Sequence, residues 1–183
     1  MSDPLFNSAA SAIMFALRYS SQQYAETPMS KLMKRGGRAS GKGLVGLDGA
    51  GQAGMILKKI DNLGRLERAC IIARYTDRMA ECPCCKAATA SDDYRDAINV
   101  LADWALRNVE NVTDVARMRF AIVADFYERR RLVGKTAEAI GMARATAYDN
   151  RARIWAALTE LDKRALGRIE ESLVSLTEFA ITA

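Results

Sequence analysis

The chain contains no histidine. That absence excludes a Ser-His-Asp or Cys-His nucleophilic centre and any histidine-ligated metal, and it removes the usual proton shuttle near neutral pH. Proline is scarce: three residues in 183, none beyond Pro83, so nothing interrupts a helical pattern over the last hundred positions. Only four cysteines occur, and Cys82, Cys84 and Cys85 crowd together rather than spreading out as in a secreted disulfide framework. No apolar run reaches the roughly 18 residues that a membrane span needs. The start, Met1-Ser2-Asp3-Pro4, lacks the basic and hydrophobic segments of a signal peptide. These absences point to a reducing cytoplasm and to no membrane partner.

What is present suits a folded protein. Half of the residues are hydrophobic and 27% are charged, which excludes a wholly disordered or fibrous chain and leaves room for one domain or two small ones. The net charge of +5 is unevenly spread. Residues 31–42 hold five basic residues and no acidic one, and residues 129–153 hold seven basic residues against Glu138 and Asp149. Each segment therefore carries +5, and the rest of the chain sums to −5. Two concentrated cationic segments on a mildly acidic body suit a polyanion, with DNA foremost.

The periodicity predicts an all-α fold, a helical bundle with a C-terminal helix-turn-helix and a long C-terminal helix. Residues 5–24 place Leu5, Ala9, Ile13 and Ala16 at helical spacing. Asp48 is placed to cap a helix through Ile60, Gly64 breaks it, and a helix resumes from Arg65 to Arg78. Residues 79–91 read as an irregular stretch. Ser91 caps the next helix, with Asp92 and Asp93 favourable to its dipole, and Thr113 or Asp114 caps the one after. Residues 65–75 echo 115–127, which duplication or shared amphipathic bias explains equally well. Two regions are expected, 1–90 and 91–183.

Residues 133–158 have the form of a helix-turn-helix. Thr136 caps the first helix, Ala137 is small where the helices meet, Gly141 supplies the positive φ of the turn and Met142 plugs it. The second helix starts near Arg144, with Ala147, Ile154 and Leu158 inward and Asn150 leaving part of that face polar. Arg144, Ala145, Tyr148, Asp149 and Arg151 form its outer face, which would enter the major groove of double-stranded DNA. There Arg144 pairs with a guanine, Tyr148 meets a thymine methyl or a phosphate, and Asp149 accepts from a cytosine or orients an arginine. Arg129, Arg130, Arg131 and Lys135, placed just before the first helix, and Arg153 supply phosphate contacts, and Thr136 is a further candidate DNA contact. A plain helical hairpin with a solvated basic face is the competing reading.

Lys34, Arg35 and Arg38 belong to a basic, glycine-rich arm suited to a phosphate backbone or minor groove, or simply to solvation. Its glycines lack the spacing of a nucleotide-binding loop. Cys82, Cys84 and Cys85, with Cys70 brought in from the preceding helix, are candidate ligands for structural zinc. Against this, the cluster is not a pair of Cys-x2-Cys knuckles, and Cys70 sits on an apolar helical face. No thioredoxin-like context accompanies it. The one acidic cluster, Asp92, Asp93 and Asp96, reads as a helix start rather than a nuclease centre, so no enzyme is expected. Leu158, Leu161, Leu166, Ile169, Leu173, Leu176 and Phe179 form a C-terminal apolar stripe that fits the chain's own core or a dimer seam, leaving the oligomeric state open.

Val115 to Leu158 resembles the fourth region of bacterial sigma factors and related phage activators. The whole order also resembles the Q-type late-gene antitermination proteins of phages and prophages. A helix at Ala12–Tyr24 is followed by a basic loop, then Leu47-Asp48-Gly49-Ala50-Gly51-Gln52, Ile71-Ile72-Ala73-Arg74-Tyr75, a cysteine-bearing insertion and a helix-turn-helix. The resemblance implies a regulator in a bacterial host cell. It would bind promoter-proximal DNA and load onto paused RNA polymerase for terminator read-through, in some members with a zinc-binding cysteine cluster. A DNA-binding repressor or activator, or a packaging-recognition subunit, is the alternative.

Overall fold

The computed structural model describes residues 6, 8–25, 47–82 and 84–180. The basic arm with Lys34, Arg35 and Arg38 lies outside the described residues. The elements are α1 (Ala9–Ala25), α2 (Leu47–Asp61), α3 (Arg65–Tyr75), β1 (Met79–Glu81), β2 (Ala88–Ala90), α4 (Asp92–Asn108), α5 (Ala116–Glu128), α6 (Leu132–Ala139) and α7 (Arg144–Ala180). Among the described residues the fold is all-α but for one small hairpin. Among the described residues no helix is long and apolar enough to cross a membrane.

The chain divides into two compact units, one from residues up to Asn62 together with those from Arg168 on, the other Leu63–Gly167. The division therefore does not fall at residue 90. The physical reason is that α3 packs along α4, so the cysteine hairpin between them belongs with the helix-turn-helix. In the first unit α1 lies on α2. Ile13 and Ala16 of α1 and Ala53, Ile56 and Ile60 of α2 are buried, as are Ile169 and Leu173 of α7. Phe6, Phe15 and Tyr19 form a tilted ring series, with centroids 5.3 and 5.7 Å apart. Asp48 stands inside α2, not at its cap, because the helix already begins at Leu47.

In the second unit α4 packs on α5 and α5 on α6. Ile71, Ile98, Leu101, Met118, Ile122, Val133, Ile154 and Leu158 are fully enclosed. Full burial of such a side chain stabilises by about 1.5–3 kcal/mol. Of the C-terminal apolar stripe, Leu158, Leu161, Ile169 and Leu173 are buried within the chain and Leu166 is half-buried, and the side chains of Leu176 and Phe179 lie outside the described residues.

Three local expectations are corrected. Helix α3 ends at Tyr75, not Arg78: Thr76 turns extended, and the Arg78 guanidinium donates to the Tyr127 carbonyl at 2.8 Å. The N-cap of α5 is Val115, and Asp114 instead forms an ion pair with the buried Arg119. Residues 79–91 are not wholly irregular. Met79, Ala80 and Glu81 pair antiparallel with Ala90, Thr89 and Ala88. Three-residue strands with every side chain exposed carry no alternation for the sequence to display.

Candidate nucleic-acid interface

The helix-turn-helix starts from a strained basic turn. Arg129 and Arg131 have φ of 58° and 57°, the left-handed region that costs a side-chain-bearing residue about 1–2 kcal/mol. Asp125, only 2% exposed, holds this turn. Its backbone carbonyl accepts the Arg129 N–H at 3.0 Å, and its Oδ1 accepts the N–H of Leu132, the first residue of α6, also at 3.0 Å. Thus Asp125, reaching across from α5, satisfies the start of α6, whereas Thr136 lies in the body of that helix and does not cap it. Lys135 likewise stands within α6, not before it.

The turn between α6 and α7 follows the sequence closely. Gly141 has φ +69°, and the Met142 N–H closes back on the Ala137 carbonyl at 2.9 Å. Ala137 and Ala147 are fully buried, with Ile154 and Leu158 continuing the inner face of α7. Asn150 is buried there too, and its Nδ2 finds no partner.

At the N-terminal end of α7, Arg144, Ala145, Tyr148 and Asp149 are exposed. Arg144 and Tyr148 lie over α6 at Gly134. A Cβ there would meet Tyr148 Oη at 3.4 Å and Arg144 Nη2 at 3.6 Å, ordinary contact distances that place both side chains against this part of α6. Lys135 and Arg131 are exposed nearby in sequence, and the exposed Arg130 pairs with Glu128 at 3.5 Å.

Two expected DNA contacts are committed elsewhere. Arg151 is half-buried. Its guanidinium stacks 3.7 Å from the Trp155 ring centroid, and its Nε stands 3.4 Å from Asp125 Oδ2. Arg153 donates to the Asn111 carbonyl at 2.6 Å. Nine residues at about 100° each place Arg153 half a turn away from Arg144, so the two cannot share one face. Trp155, missed by the sequence reading, organises this side. Arg129 lies 5.2 Å from its ring centroid, Phe126 meets it edge-on at 5.5 Å, and its Nε1 donates to the Ile122 carbonyl at 3.3 Å.

A second polar cluster ties α7 to α3 and α5. Arg74 forms an ion pair with the buried Asp162, and the Tyr127 hydroxyl donates to the same carboxylate at 3.4 Å. Cys70 lies against Tyr127, and burial pushes its thiol up to about 12. Burial also raises the Tyr127 hydroxyl, and the neighbouring Cys70 and Asp162 add to that. Cys70 is therefore corrected as a metal ligand: it is enclosed in the helical core and does not join the other three.

Cys82, Cys84 and Cys85 do converge, with all their sulfurs within 4.8 Å of one another, close enough to hold a metal ion. The turn does this. Lys86 takes φ 60° and donates its N–H to the Cys82 carbonyl at 2.9 Å, while the Cys82 N–H donates to the Ala87 carbonyl at 2.8 Å. Cys82 and Cys84 share a sulfur hydrogen bond of 2.9 Å, which pulls the Cys82 thiol down to about 7 and pushes Cys84 up.

No family model, no curated protein and no solved structure matches the chain.

Proposed function

We propose that the chain is a DNA-binding transcription regulator that reads the major groove with the N-terminal end of α7. One observation carries this reading. The α6–α7 pair, closed by Gly141 and by buried Ala137 and Ala147, leaves Arg144, Ala145, Tyr148 and Asp149 together on the exposed end of the second helix. That end is where helix-turn-helix proteins meet base edges. Arg130, Arg131 and Lys135 contribute positive charge for phosphates, as does the basic arm. Arg151 and Arg153 are left out of the contact set because they hold Asp125, Trp155 and Asn111. The resemblance to late-gene antiterminators extends the reading to RNA polymerase. The protein loads from promoter-proximal DNA and carries polymerase past a terminator, a binding role and not a catalytic one. Within the same reading the cysteine turn is a zinc site.

The test has two stages. Anisotropy on DNA flanking the gene selects a specific site. Arg144→Ala then weakens specific binding by about 1–3 kcal/mol and relaxes one base position. An unchanged curve removes α7 from the interface. In transcription on a template with that site and a downstream terminator, the protein raises read-through. Tight DNA binding with unaltered termination replaces antitermination by repression, activation or packaging recognition.

A further inference from the structure

The zinc reading leaves open how many ligands the chain itself supplies, and sequence and geometry together answer that. The whole chain has four cysteines and no histidine. Cys70 is 0% exposed in α3, packed against Tyr127. Among the described residues, no carboxylate joins the three sulfurs of the turn. A closed structural zinc site needs four protein ligands, usually all cysteine or histidine. This turn offers three.

The three are well disposed. With Zn–S bonds of about 2.3 Å, the sulfurs on one face of a tetrahedron stand about 3.8 Å apart. The sulfurs of Cys82, Cys84 and Cys85 already fall within 4.8 Å of one another, and the Cys82–Cys84 separation of 2.9 Å must widen. Loss of the shared proton on ligation removes the hydrogen bond that holds those two together, and mutual repulsion of the thiolates favours the wider spacing. Cys84 and Cys85 are exposed and Cys82 is half-buried, so the cluster lies at the surface and not in a packed core. Thiolate ligands select soft ions.

We infer that Cys82, Cys84 and Cys85 hold one thiophilic divalent ion through three thiolates and leave its fourth position open to an external soft donor, such as a small thiol. This rests on the zinc reading above and adds to it an incomplete ligand set. The site is thus one that an outside ligand can address, unlike the sealed sites that only brace a fold.

The full chain, reduced and stripped with a chelator, is titrated with Co(II), whose thiolate charge-transfer absorbance grows with the number of sulfur ligands. The expected result is one ion per chain, a three-thiolate intensity, and a further rise when β-mercaptoethanol is added. Cys82→Ser, Cys84→Ser and Cys85→Ser each weaken Zn(II) binding at least about tenfold, the size of effect that even outer-sphere changes at metal sites produce. Cys70→Ala leaves affinity and spectrum unchanged. All four variants keep their helical circular dichroism, which confirms that loss of binding is not loss of fold. Absence of Co(II) and Zn(II) binding overturns both the zinc reading and this inference. A four-thiolate spectrum lost in Cys70→Ala, one ion per two chains, or a spectrum that added thiol does not change overturns the inference alone.

Discussion

Removing the Asp125 carboxylate tests the physical basis of the helix-turn-helix most directly. Its Oδ1 accepts the Leu132 N–H at 3.0 Å, a charge-assisted bond to the first residue of α6. Hydrogen bonds to a charged partner contribute about 1.5–3 kcal/mol. Its Oδ2 faces Arg151, whose side chain is 32% exposed, so solvent screening reduces that pair to about 1 kcal/mol or less. Asp125→Ala should therefore cost about 2–4 kcal/mol. Asp125→Asn keeps an oxygen for Leu132 and should cost roughly half as much. Urea unfolding followed by tryptophan fluorescence is the appropriate assay, because both tryptophans, Trp104 and Trp155, lie in the unit spanning Leu63–Gly167. The signal then reports that unit alone. A shift of less than about 0.5 kcal/mol for Asp125→Ala, the range of an ordinary surface change, refutes the anchoring role. Equal losses for Ala and Asn would show that the charge, not the acceptor, holds the turn.

Gly141→Ala should cost about 1–2 kcal/mol purely through the backbone, because φ is +69° yet a Cβ there meets nothing within 4 Å. Asn, which tolerates this region better, should recover part of the loss, and an Ala variant as stable as the parent would show a different turn. Asn150→Leu should stabilise the protein by about 1 kcal/mol, since the buried Nδ2 has no partner and an apolar replacement removes its desolvation cost; a lower urea midpoint would refute this. Alkaline pH should destabilise the same unit: Cys70 keeps its proton in the fold up to about 12, whereas an unfolded thiol loses it near about 8.5. The unfolded state then binds fewer protons, so stability is fully present below about pH 8.5 and falls by at most about 1.4 kcal/mol per pH unit above it. Cys70→Ala should flatten that slope, and an unchanged slope would move the cause to Tyr127, also raised by burial.

The parts of the fold that the sequence displays are those fixed by short-range spacing. Gly141, Ala137, Ala147, Ile154 and Leu158 sit a few residues apart, and one amphipathic period places them all. The same holds for Ile98, Leu101 and Ala105 on α4, each buried where the period puts it. The hairpin was not legible, because its strands are three residues long and solvated on both faces. Caps failed at Thr136 and Asp114 for another reason. A residue type that can cap is common, and whether it does depends on a competing partner. Arg119 takes Asp114, and Asp125 does the work assigned to Thr136.

Long-range polar pairs were hidden altogether. Asp162 is 88 positions from its partner Arg74, and nothing near either residue marks the other. This bears on how a basic segment should be read. Formal charge counted seven cations between residues 129 and 153. The structure separates them by occupation. Arg129 lies on Trp155, Arg151 is held between Asp125 and the same ring, and Arg153 holds Asn111. Arg129 and Arg153 stay exposed despite these contacts, as do Arg130 beside Glu128, Arg131, Lys135 and Arg144. Cations with an internal partner brace the basic turn and α7, and the others are available to a phosphate backbone. Removing Arg131 or Lys135 should therefore reduce the salt slope of DNA binding by about one counterion each, whereas removing Arg151 should leave it unchanged.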